Sequence, residues 1–451
     1  MRLDIKNNPA KIIKELRITL LKLMAIYFRT KRENKLVYVQ RELEKEIKPF
    51  LKRKEILAIV GARQVGKTTF LNYIAQEFQK QNKKTEFLTF EKEKDLRLFE
   101  KIEDFKDYYQ GYDILIIDEF HYAQQGGKKL KYLFDTTKIK FIISGSSSLE
   151  LTFETGKFLV GRMLKFLLYP FSFREFLLAK DEKLAQILNK RFPNLLVSSI
   201  NRKKFFGQEI NTRLKEYFEE YLVFGGYPAV VLAKTNQEKI KILEGILENY
   251  LLKEIKALLN LKTQRELIKI SEFLAAQVSN LVNYKELSNA SGLKYNDVLA
   301  HLNILENTFI LNLLKPFYTN PRTELVKTPK VYFWDTGLRN YLLSDFKKFE
   351  SRNDQGELVE NFVFSQLKQG SISKLNFWRT KSKAEVDFVL QRQGEIIPIE
   401  VKYSKSPVIG KSFHSFIEKF SPKKGYIFTN EFADIQKIKN TKIYFVPVYY
   451  L

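Results

Sequence analysis

The chain has 451 residues, 44% of them hydrophobic and 29% charged, so it can build several packed cores and is neither disordered nor fibrous. It has no Cys and three His, which excludes disulfides and zinc thiolate sites and argues against a His-based metal site. The net charge of +25 favours a polyanionic partner, either nucleic acid or an anionic membrane surface. The lack of Cys suggests a cytoplasmic protein.

Residues 1–37 are predicted to form a basic helical extension. Basic residues outnumber acidic ones by 16 to 7 in residues 1–60. The apolar stretch "ITLLKLMAIYF", residues 18–28, contains Lys22 and is shorter than the roughly 20 residues that a membrane span needs. It also lacks a signal-peptide cleavage site. We expect an amphipathic helix that packs on the body of the protein; a helix that binds a membrane surface or nucleic acid is the alternative.

Residues 38–240 alternate between short apolar runs and helical patterns. The apolar runs are "ILAIV", "TEFLTF", "DILIID" and "KFIISGS". Continuous apolar runs that alternate with helices indicate a parallel sheet buried on both faces. The stretch after residue 180 is charged, rich in Leu and helix-like, with a break at "FGGYP", residues 224–228. The sequence therefore predicts an α/β domain with a helical region at its end.

A phosphate-binding loop follows the first apolar run. "ILAIV" leads directly into "GARQVGKTTF", which fits the pattern G-x-x-x-x-G-K-[ST]. The glycines let backbone N–H groups surround a phosphate, and the next helix points its N-terminus at the anion. We expect Lys67 to reach the terminal phosphates and the Thr68 hydroxyl to bind Mg²⁺. The predicted cofactors are ATP and Mg²⁺, and the predicted nucleotide-binding residues are Gly61, Ala62, Arg63, Gln64, Val65, Gly66, Lys67, Thr68, Thr69 and Ser146.

Two acids end the buried strand of "YDILIIDEFH". Asp118 is expected to hold the magnesium ion through its water shell, and Glu119 to orient and polarise the attacking water. The next strand ends in "SGSSS", where Ser146 is our first choice and Ser144 our second as the group that contacts the γ-phosphate. Arg162 is predicted to be an arginine finger that stabilises the transferring phosphoryl group; a structural surface arginine is an equal alternative.

Several of these phrases together resemble a known family. "GARQVGKTTFL", "ILIIDEFHYA", "VGRMLKFLLYPFSFREFL" and "YLVFGGYPAVV" are similar to the archaeal and bacterial AAA+-type ATPases of the AAA_14 group. The resemblance extends over residues 38–451 and implies an ATPase followed by a C-terminal domain of undefined role. Phe120 departs from the family, which often has an aliphatic residue there. "DEFH" and "SGSS" also echo helicase motifs, but a second nucleotide-fold half is not evident after residue 180.

Residues 241–345 have the pattern of a winged helix-turn-helix. "YKELSNA" would be the first helix of the pair, Ser291 and Gly292 the turn, "YNDVLAHLNILENT" the second helix and "FILNLLKPF" a wing strand. In DNA-binding versions the second helix enters the major groove. Its polar face offers Asn296, Asp297, His301 and Asn303 but little positive charge. DNA contact and packing between domains are equally weighted interpretations.

Residues 346–451 carry a second group of acids. In "IPIEVKY" Glu400 and Lys402 face the same side of a predicted strand, and Asp387 lies on the strand before it. An earlier helix offers Glu360, with Glu357 as second choice. This order resembles the core of PD-(D/E)XK nucleases. The resemblance implies that Asp387 and Glu400 bind one or two Mg²⁺ ions, that Glu360 completes the metal site, and that Lys402 positions or activates a water.

The combined prediction is a multidomain α/β protein. It comprises an AAA+-like P-loop NTPase with a parallel sheet, a winged helix-turn-helix and an α/β nuclease-like domain. The predicted function is Mg²⁺-dependent ATP hydrolysis coupled to DNA binding, with DNA cleavage as an open addition. The alternative is a signal-transducing nucleotide switch whose C-terminal domains bind protein and whose nuclease-like fold is inactive. The expected partner is DNA, with a second copy of the chain or another protein also left open.

Overall fold

The computed structural model describes most of the chain from residue 38 onward. The predicted basic extension, residues 1–37, and Ser146 lie outside the described residues. No helix in the described part is long and apolar enough to cross a membrane. The described residues are 38–145, 158–196, 201, 203, 205–248, 264–318, 324, 327–370 and 374–451.

The first sheet is parallel and follows the apolar runs of the sequence. Its strands are β1 (Ile56–Val60), β2 (Thr85–Thr89), β3 (Ile114–Asp118), β4 (Lys140–Gly145) and β5 (Met163–Leu167). They lie in the order β2-β3-β4-β1-β5, and every pairing is parallel. All residues of β1, β3 and β4 are buried, as expected for the central strands of a sheet covered on both faces. The predicted buried parallel sheet is confirmed.

The sheet order brings three strand ends together. Val60 at the end of β1 pairs with Gly145 of β4, and β4 pairs in turn with β3. The loop after β1, Asp118 of β3 and Ser144 of β4 therefore share one edge of the sheet, where open α/β sheets bind ligands. The helices of this part are α1 (Leu43–Ile47), α2 (Lys67–Lys80), α3 (Glu93–Glu100), α4 (Ile102–Tyr108) and α5 (Gly126–Thr136).

The helical region contains the predicted break at "FGGYP". Its helices are α6 (Phe173–Lys180), α7 (Glu182–Arg191), α8 (Gln208–Phe224), α9 (Pro228–Leu232) and α10 (Asn236–Leu247). Helix α8 ends at Phe224. The next residue, Gly225, has a φ of +78°, and a Cβ there would lie 2.2 Å from Oδ1 of Asp335. The next amide, N–H of Gly226, donates to Oδ2 of Asp335 at 2.7 Å. The break therefore exists because a buried carboxylate from a distant segment occupies the space beside it.

The middle part consists of helices followed by a small sheet. Its elements are α11 (Gln264–Ala276), α12 (Tyr284–Ser291), α13 (Tyr295–Asn307), β6 (Leu311–Leu314), β7 (Lys330–Phe333) and α14 (Thr336–Leu342). Gly292, at φ +75°, turns the chain between α12 and α13, as predicted. Strands β6 and β7 are antiparallel, and Leu281 adds an isolated bridge to Lys330. The winged helix-turn-helix assignment stays a prediction.

The C-terminal elements are α15 (Gln355–Gln369), β8 (Lys374–Arg379), β9 (Glu385–Arg392), β10 (Glu395–Lys402), α16 (Lys411–Phe420), β11 (Lys424–Thr429), β12 (Asp434–Ile438) and β13 (Thr441–Pro447). The strands form a mixed sheet in the order β12-β13-β11-β10-β9-β8. Helix α15 precedes this sheet and α16 lies between β10 and β11 in sequence. Strands β8, β9 and β10 are antiparallel neighbours, whereas β10 and β11 are parallel.

Contacts between the C-terminal and helical parts are extensive. The Arg174 guanidinium donates to the carbonyl oxygens of Tyr450 and Leu451, each at 2.9 Å. The backbone N–H of Phe173 donates to Oε1 of Gln366 on α15 at 2.8 Å. Residues Gln40–Leu451 accordingly form one compact unit. The predicted domain boundaries at residues 240 and 345 stay predictions.

Candidate functional site

The loop after β1 has the backbone that a phosphate-binding loop requires. Gly66 lies at φ +93°, a conformation that other residues rarely adopt, and the 14-residue helix α2 begins at the next residue. Gly61 is needed for a different reason, because a Cβ there would come within 2.0 Å of the Leu168 carbonyl oxygen. The predicted loop residues 61–69 therefore form a continuous loop and helix start at the carboxyl edge of the sheet.

Lys67 is folded into this loop. Its ammonium donates to the carbonyl oxygens of Gly61 at 3.0 Å and Ala62 at 2.9 Å. The side chain is buried, and burial lowers the pKa of Lys67 against the opposing effect of the nearby acids Glu119 and Asp118. A phosphate bound in the loop would place a negative charge directly beside this buried ammonium, which now contacts two carbonyl oxygens.

The groups predicted to hold magnesium lie side by side. The Thr68 hydroxyl donates to Oδ2 of Asp118 at 2.6 Å, and the Ser144 hydroxyl donates to Oδ1 of the same carboxylate. These contacts join the start of α2 with the ends of β3 and β4. A hydroxyl and a carboxylate at this spacing are the oxygen ligands that Mg²⁺ prefers. Ser144, the second choice from the sequence, thus contacts Asp118, while Ser146 lies outside the described residues.

Glu119 adopts an uncommon backbone conformation beside a histidine. Its φ is +52°, and its Oε2 lies 3.1 Å from Nδ1 of His121, an ion-pair distance without the angle of an aligned hydrogen bond. Burial would raise the pKa of Glu119, but His121, Lys67 and Arg63 outweigh it and hold that pKa below the usual value. Glu119 is therefore ionised at neutral pH. His121 thus lies beside the predicted water-activating carboxylate.

Arg41 is a residue that sequence reasoning missed. It is 5% exposed, and its guanidinium donates to the carbonyl oxygens of Val65 at 2.9 Å and Tyr169 at 2.6 Å. Its Nε also lies 3.1 Å from Oε1 of Glu175. Arg41 thus stabilises the phosphate loop through the carbonyl oxygen of Val65. An isolated Arg before the first strand carries no sequence signal for this role.

Arg162 does not reach the phosphate site of its own chain. Its neighbour Met163 pairs with Ile56 at the start of β1, so Arg162 lies at the opposite edge of the sheet from the phosphate loop. Four residues of extended strand separate the two edges by about 13 Å. The guanidinium instead pairs with Asp135 through Nε at 2.9 Å. Arg162 therefore does not contact the phosphate loop within its own chain, and its assignment as an arginine finger stays a prediction.

The C-terminal acids Asp387 and Glu400 lie on the adjacent strands β9 and β10. Oδ2 of Asp387 accepts the Val401 backbone N–H at 2.8 Å, which places it beside Glu400. Nζ of Lys402 lies 2.9 Å from Oε1 of Glu400, while Oε2 of Glu400 is buried and has no hydrogen-bond partner among the described residues. The structure thus brings Asp387, Glu400 and Lys402 together, as the two-residue period of a strand predicts.

Burial and mutual repulsion perturb these carboxyl groups. Desolvation, followed by the charge of Asp387, raises the pKa of Glu400 to about 8. Desolvation also raises the pKa of Asp387. The Lys402 pKa is raised, because its acidic neighbours outweigh its partial burial. The two carboxyl groups do not readily ionise together, and Lys402 stays charged. These properties are typical of a site that binds a cation or a phosphate.

Glu360 differs from the other predicted metal ligands. Its Oε1 accepts a hydrogen bond from Tyr332 at 2.5 Å and lies 3.2 Å from Nζ of Lys330. In the described part of the chain, no group of three His, Cys, Asp or Glu side chains is placed to hold a metal ion. The three predicted acids therefore do not form such a group, and the assignment of Asp387 and Glu400 as metal ligands stays a prediction. Glu357, the second choice, is exposed.

Helix α13, the predicted second helix of the helix-turn-helix pair, presents a mixed surface. Asn296, Asp297 and Asn303 are exposed, as expected for its polar face. His301 is instead 3% exposed, with Nδ1 2.6 Å from the Asp297 carbonyl oxygen, so it does not belong to that face. Tyr295 is 54% exposed at the start of the helix. This helix therefore offers amides and one aromatic ring to a partner.

Comparisons with known families cover three parts of the chain. Residues 53–177 match an AAA domain (AAA_14). Residues 215–348 and residues 355–451 match two domains of unknown function, DUF8612 and DUF4143 respectively. The AAA match includes the phosphate loop, Asp118 and Glu119.

The relatives found by sequence and structure are distant. An uncharacterized protein of Haemophilus influenzae is 26% identical over 82% of this chain and 86% of its own length. An uncharacterized protein of Methanocaldococcus jannaschii is 25% identical over 84% of this chain and 81% of its own. The ORC1 protein of Aeropyrum pernix in complex with DNA is 10% identical, over 69% of this chain and 95% of its own, with a TM-score of 0.31, too low to support an argument. Residues 53–177 of this chain are therefore similar to an AAA domain, and the matched segment contains the phosphate loop.

Proposed function

We propose that this chain binds ATP at the loop of residues 61–68 and hydrolyses it with the help of Mg²⁺. The observation that carries the proposal is the Thr68–Asp118 contact of 2.6 Å beside the buried ammonium of Lys67. Lys67 would bind the terminal phosphates, and Thr68 and Asp118 would hold the ion. Magnesium, when bound, neutralises charge that develops on the transferred phosphoryl group.

Glu119 would act on the attacking water. Its carboxylate is ionised and lies in a buried site next to Lys67, so it can accept a hydrogen bond from a water and orient that water towards the γ-phosphate. Nδ1 of His121 lies 3.1 Å from Oε2 of Glu119. We infer that His121 sets the direction of this carboxylate and that the water replaces His121 as its partner when nucleotide is bound.

The test is ATP hydrolysis by variants of these residues. Lys67→Ala should abolish both tight ATP binding and turnover. Lys80→Ala is the matched control, because Lys80 lies at the exposed far end of the same helix and pairs with Glu77. It should hydrolyse ATP at the wild-type rate. A Lys67→Ala variant that still turns over ATP would refute the assignment.

A second candidate function is Mg²⁺-dependent cleavage of DNA by the C-terminal part. It is favoured by the Asp387–Glu400 pair and by Lys402, 2.9 Å from Glu400. The chain order α15-β8-β9-β10-α16-β11 also agrees with the predicted nuclease-like core. Asp387 and Glu400 would hold the ion. Lys402 stays protonated, so it would orient a water or stabilise the phosphate of the transition state rather than remove a proton.

DNA is the partner that fits the charge of the chain. A net charge of +25 supports binding to the phosphate backbone, and the exposed amides of Asn296 and Asn303 could contact bases. The rival is a nucleotide switch whose C-terminal parts bind protein. Supercoiled, linear and branched DNA incubated with the protein in Mg²⁺ or Mn²⁺ would separate the two. Nicking lost in Asp387→Ala supports cleavage, whereas no nicking and no stimulation of ATP hydrolysis by DNA supports the switch.

A further inference from the structure

A buried lysine lies at the centre of the C-terminal acidic cluster. Lys330 is the first residue of β7, in the middle part of the chain, and is 3% exposed. Its Nζ lies 2.6 Å from Oε1 of Glu385 and 3.2 Å from Oε1 of Glu360. It also lies 5.6 Å from the centre of the Phe377 ring. One ammonium group thus joins a strand of the middle part to α15 and β9 of the C-terminal part.

Lys330 stays charged in this position. Burial would lower its pKa, but the carboxylates of Glu360, Asp387 and Glu385 more than compensate and raise it. A buried cation held by acids is costly to remove, because the acids would be left without a counter-charge. The ammonium therefore has the electrostatic role that a metal ion would have among the same acids.

The acids of the cluster fall into two groups. Glu360 is satisfied, because Lys330 and the Tyr332 hydroxyl both contact its Oε1. Oε2 of Glu400, in contrast, is buried and has no hydrogen-bond partner among the residues that the structure describes, and the residue as a whole is 6% exposed. An unpartnered carboxylate oxygen in a buried site indicates a missing cation or donor.

We propose that Lys330 is the resident cation of this cluster, which removes Glu360 from the metal-ligand set and leaves Asp387 and Glu400 to bind a single divalent cation. The proposal rests on the second candidate function, because it defines the metal site of that reaction. It reduces the predicted site from three acids that hold one or two ions to two acids that hold one ion. The ion would be a hard cation with oxygen ligands, Mg²⁺ or Mn²⁺.

The test measures Mn²⁺ binding to the full-length protein without nucleotide, by electron paramagnetic resonance of the free ion. The Mn²⁺ binding that is absent in Asp387→Ala is assigned to the cluster. We expect one ion per chain in the wild type, lost in Glu400→Gln and unchanged in Glu360→Gln. In the Lys330→Met background, adding Glu360→Gln should weaken binding by about tenfold or more, because Glu360 is then free to act as a ligand.

Lys402→Met is the matched control, since Lys402 is a lysine of the same cluster that contacts Glu400 and not Glu360. Glu360→Gln should have no effect in that background. Lys330→Arg, which keeps the cation, should behave like the wild type, and far-UV circular dichroism checks that each variant is folded. The double variant Lys330→Met with Glu360→Gln removes the buried ammonium together with one of its carboxylate partners. It should therefore fold even if Lys330→Met alone does not.

The outcomes separate this inference from the function on which it rests. If Glu360→Gln weakens Mn²⁺ binding by the wild type as strongly as Glu400→Gln does, Glu360 is a ligand and the inference is wrong, while the nuclease proposal stands. If the wild type does not bind Mn²⁺ but Lys330→Met does, Lys330 occupies the metal position fully and the nuclease proposal fails. Absence of Mn²⁺ binding in both would refute both.

Discussion

The support of the phosphate loop by Arg41 gives a prediction whose size can be worked out. Arg41→Met removes the guanidinium and keeps most of the apolar stem. It leaves the carbonyl oxygens of Val65 and Tyr169 without a donor that now lies 2.9 Å and 2.6 Å away. It also leaves the buried Glu175 without its cation, 3.1 Å distant. Both stability and nucleotide affinity should fall.

The magnitude depends on what remains around Glu175. Removing one partner of a buried ion pair costs about 3–5 kcal/mol. Glu175 keeps two backbone donors, the N–H of Glu42 at 2.6 Å and the N–H of Ser172 at 3.1 Å. We therefore expect the free energy of unfolding to fall by an amount at the lower end of this range, about 3 kcal/mol. A hydrogen bond from a charged donor contributes about 1.5–3 kcal/mol, so even half of the Val65 contact would weaken ATP binding about threefold to twelvefold.

The assays are urea unfolding for stability and fluorescence titration with a labelled ATP analogue for affinity. Adding Glu175→Gln to Arg41→Met should restore part of the stability, because no uncompensated charge remains, but it should not restore ATP affinity. Arg53→Met is the control, since Arg53 is exposed and pairs with Glu55 at the surface. If Arg41→Met matches the wild type in both stability and affinity, Arg41 does not support the loop.

Glu119→Gln should bind ATP normally but lower kcat by on the order of 10²–10⁴-fold, since only water activation is lost, and a wild-type single-turnover rate would contradict this role. Deleting residues 1–36 should weaken DNA binding and flatten its salt dependence in anisotropy titrations; an unchanged slope would assign the extension to packing. Burial raises the pKa of Glu400 to about 8, so below that pH a metal ion must displace a proton there. Mn²⁺ affinity should therefore rise about tenfold per pH unit between about pH 6 and 8 and then level off, and a flat profile would refute the raised pKa. Asp387→Ala should abolish DNA nicking and leave ATP hydrolysis intact, because the P-loop would hold its own magnesium; nicking that persists would point to another site.

Features carried by contiguous residues could be predicted from the sequence. The apolar runs around β1, β3 and β4 predict buried parallel strands, because only such strands are apolar on both faces. The spacing from Gly61 to Thr68 predicts a phosphate loop, since the loop binds through its own backbone. Glu400 and Lys402 share a face because a strand repeats every two residues. In each case the geometry is set by local chain stereochemistry.

Sheet order and long-range packing were decided only by the tertiary structure. Arg162 follows the AAA motifs closely in sequence, yet β5 runs parallel to β1 and so begins at the edge of the sheet opposite the phosphate loop. Arg41 contacts Val65 across 24 positions, and Lys330 contacts Glu360 across 30. Such contacts depend on how separate elements pack, which no local periodicity specifies. The sequence by itself therefore determined which residues could bind phosphate and metal, and the tertiary structure decided which of them meet and which already have a partner.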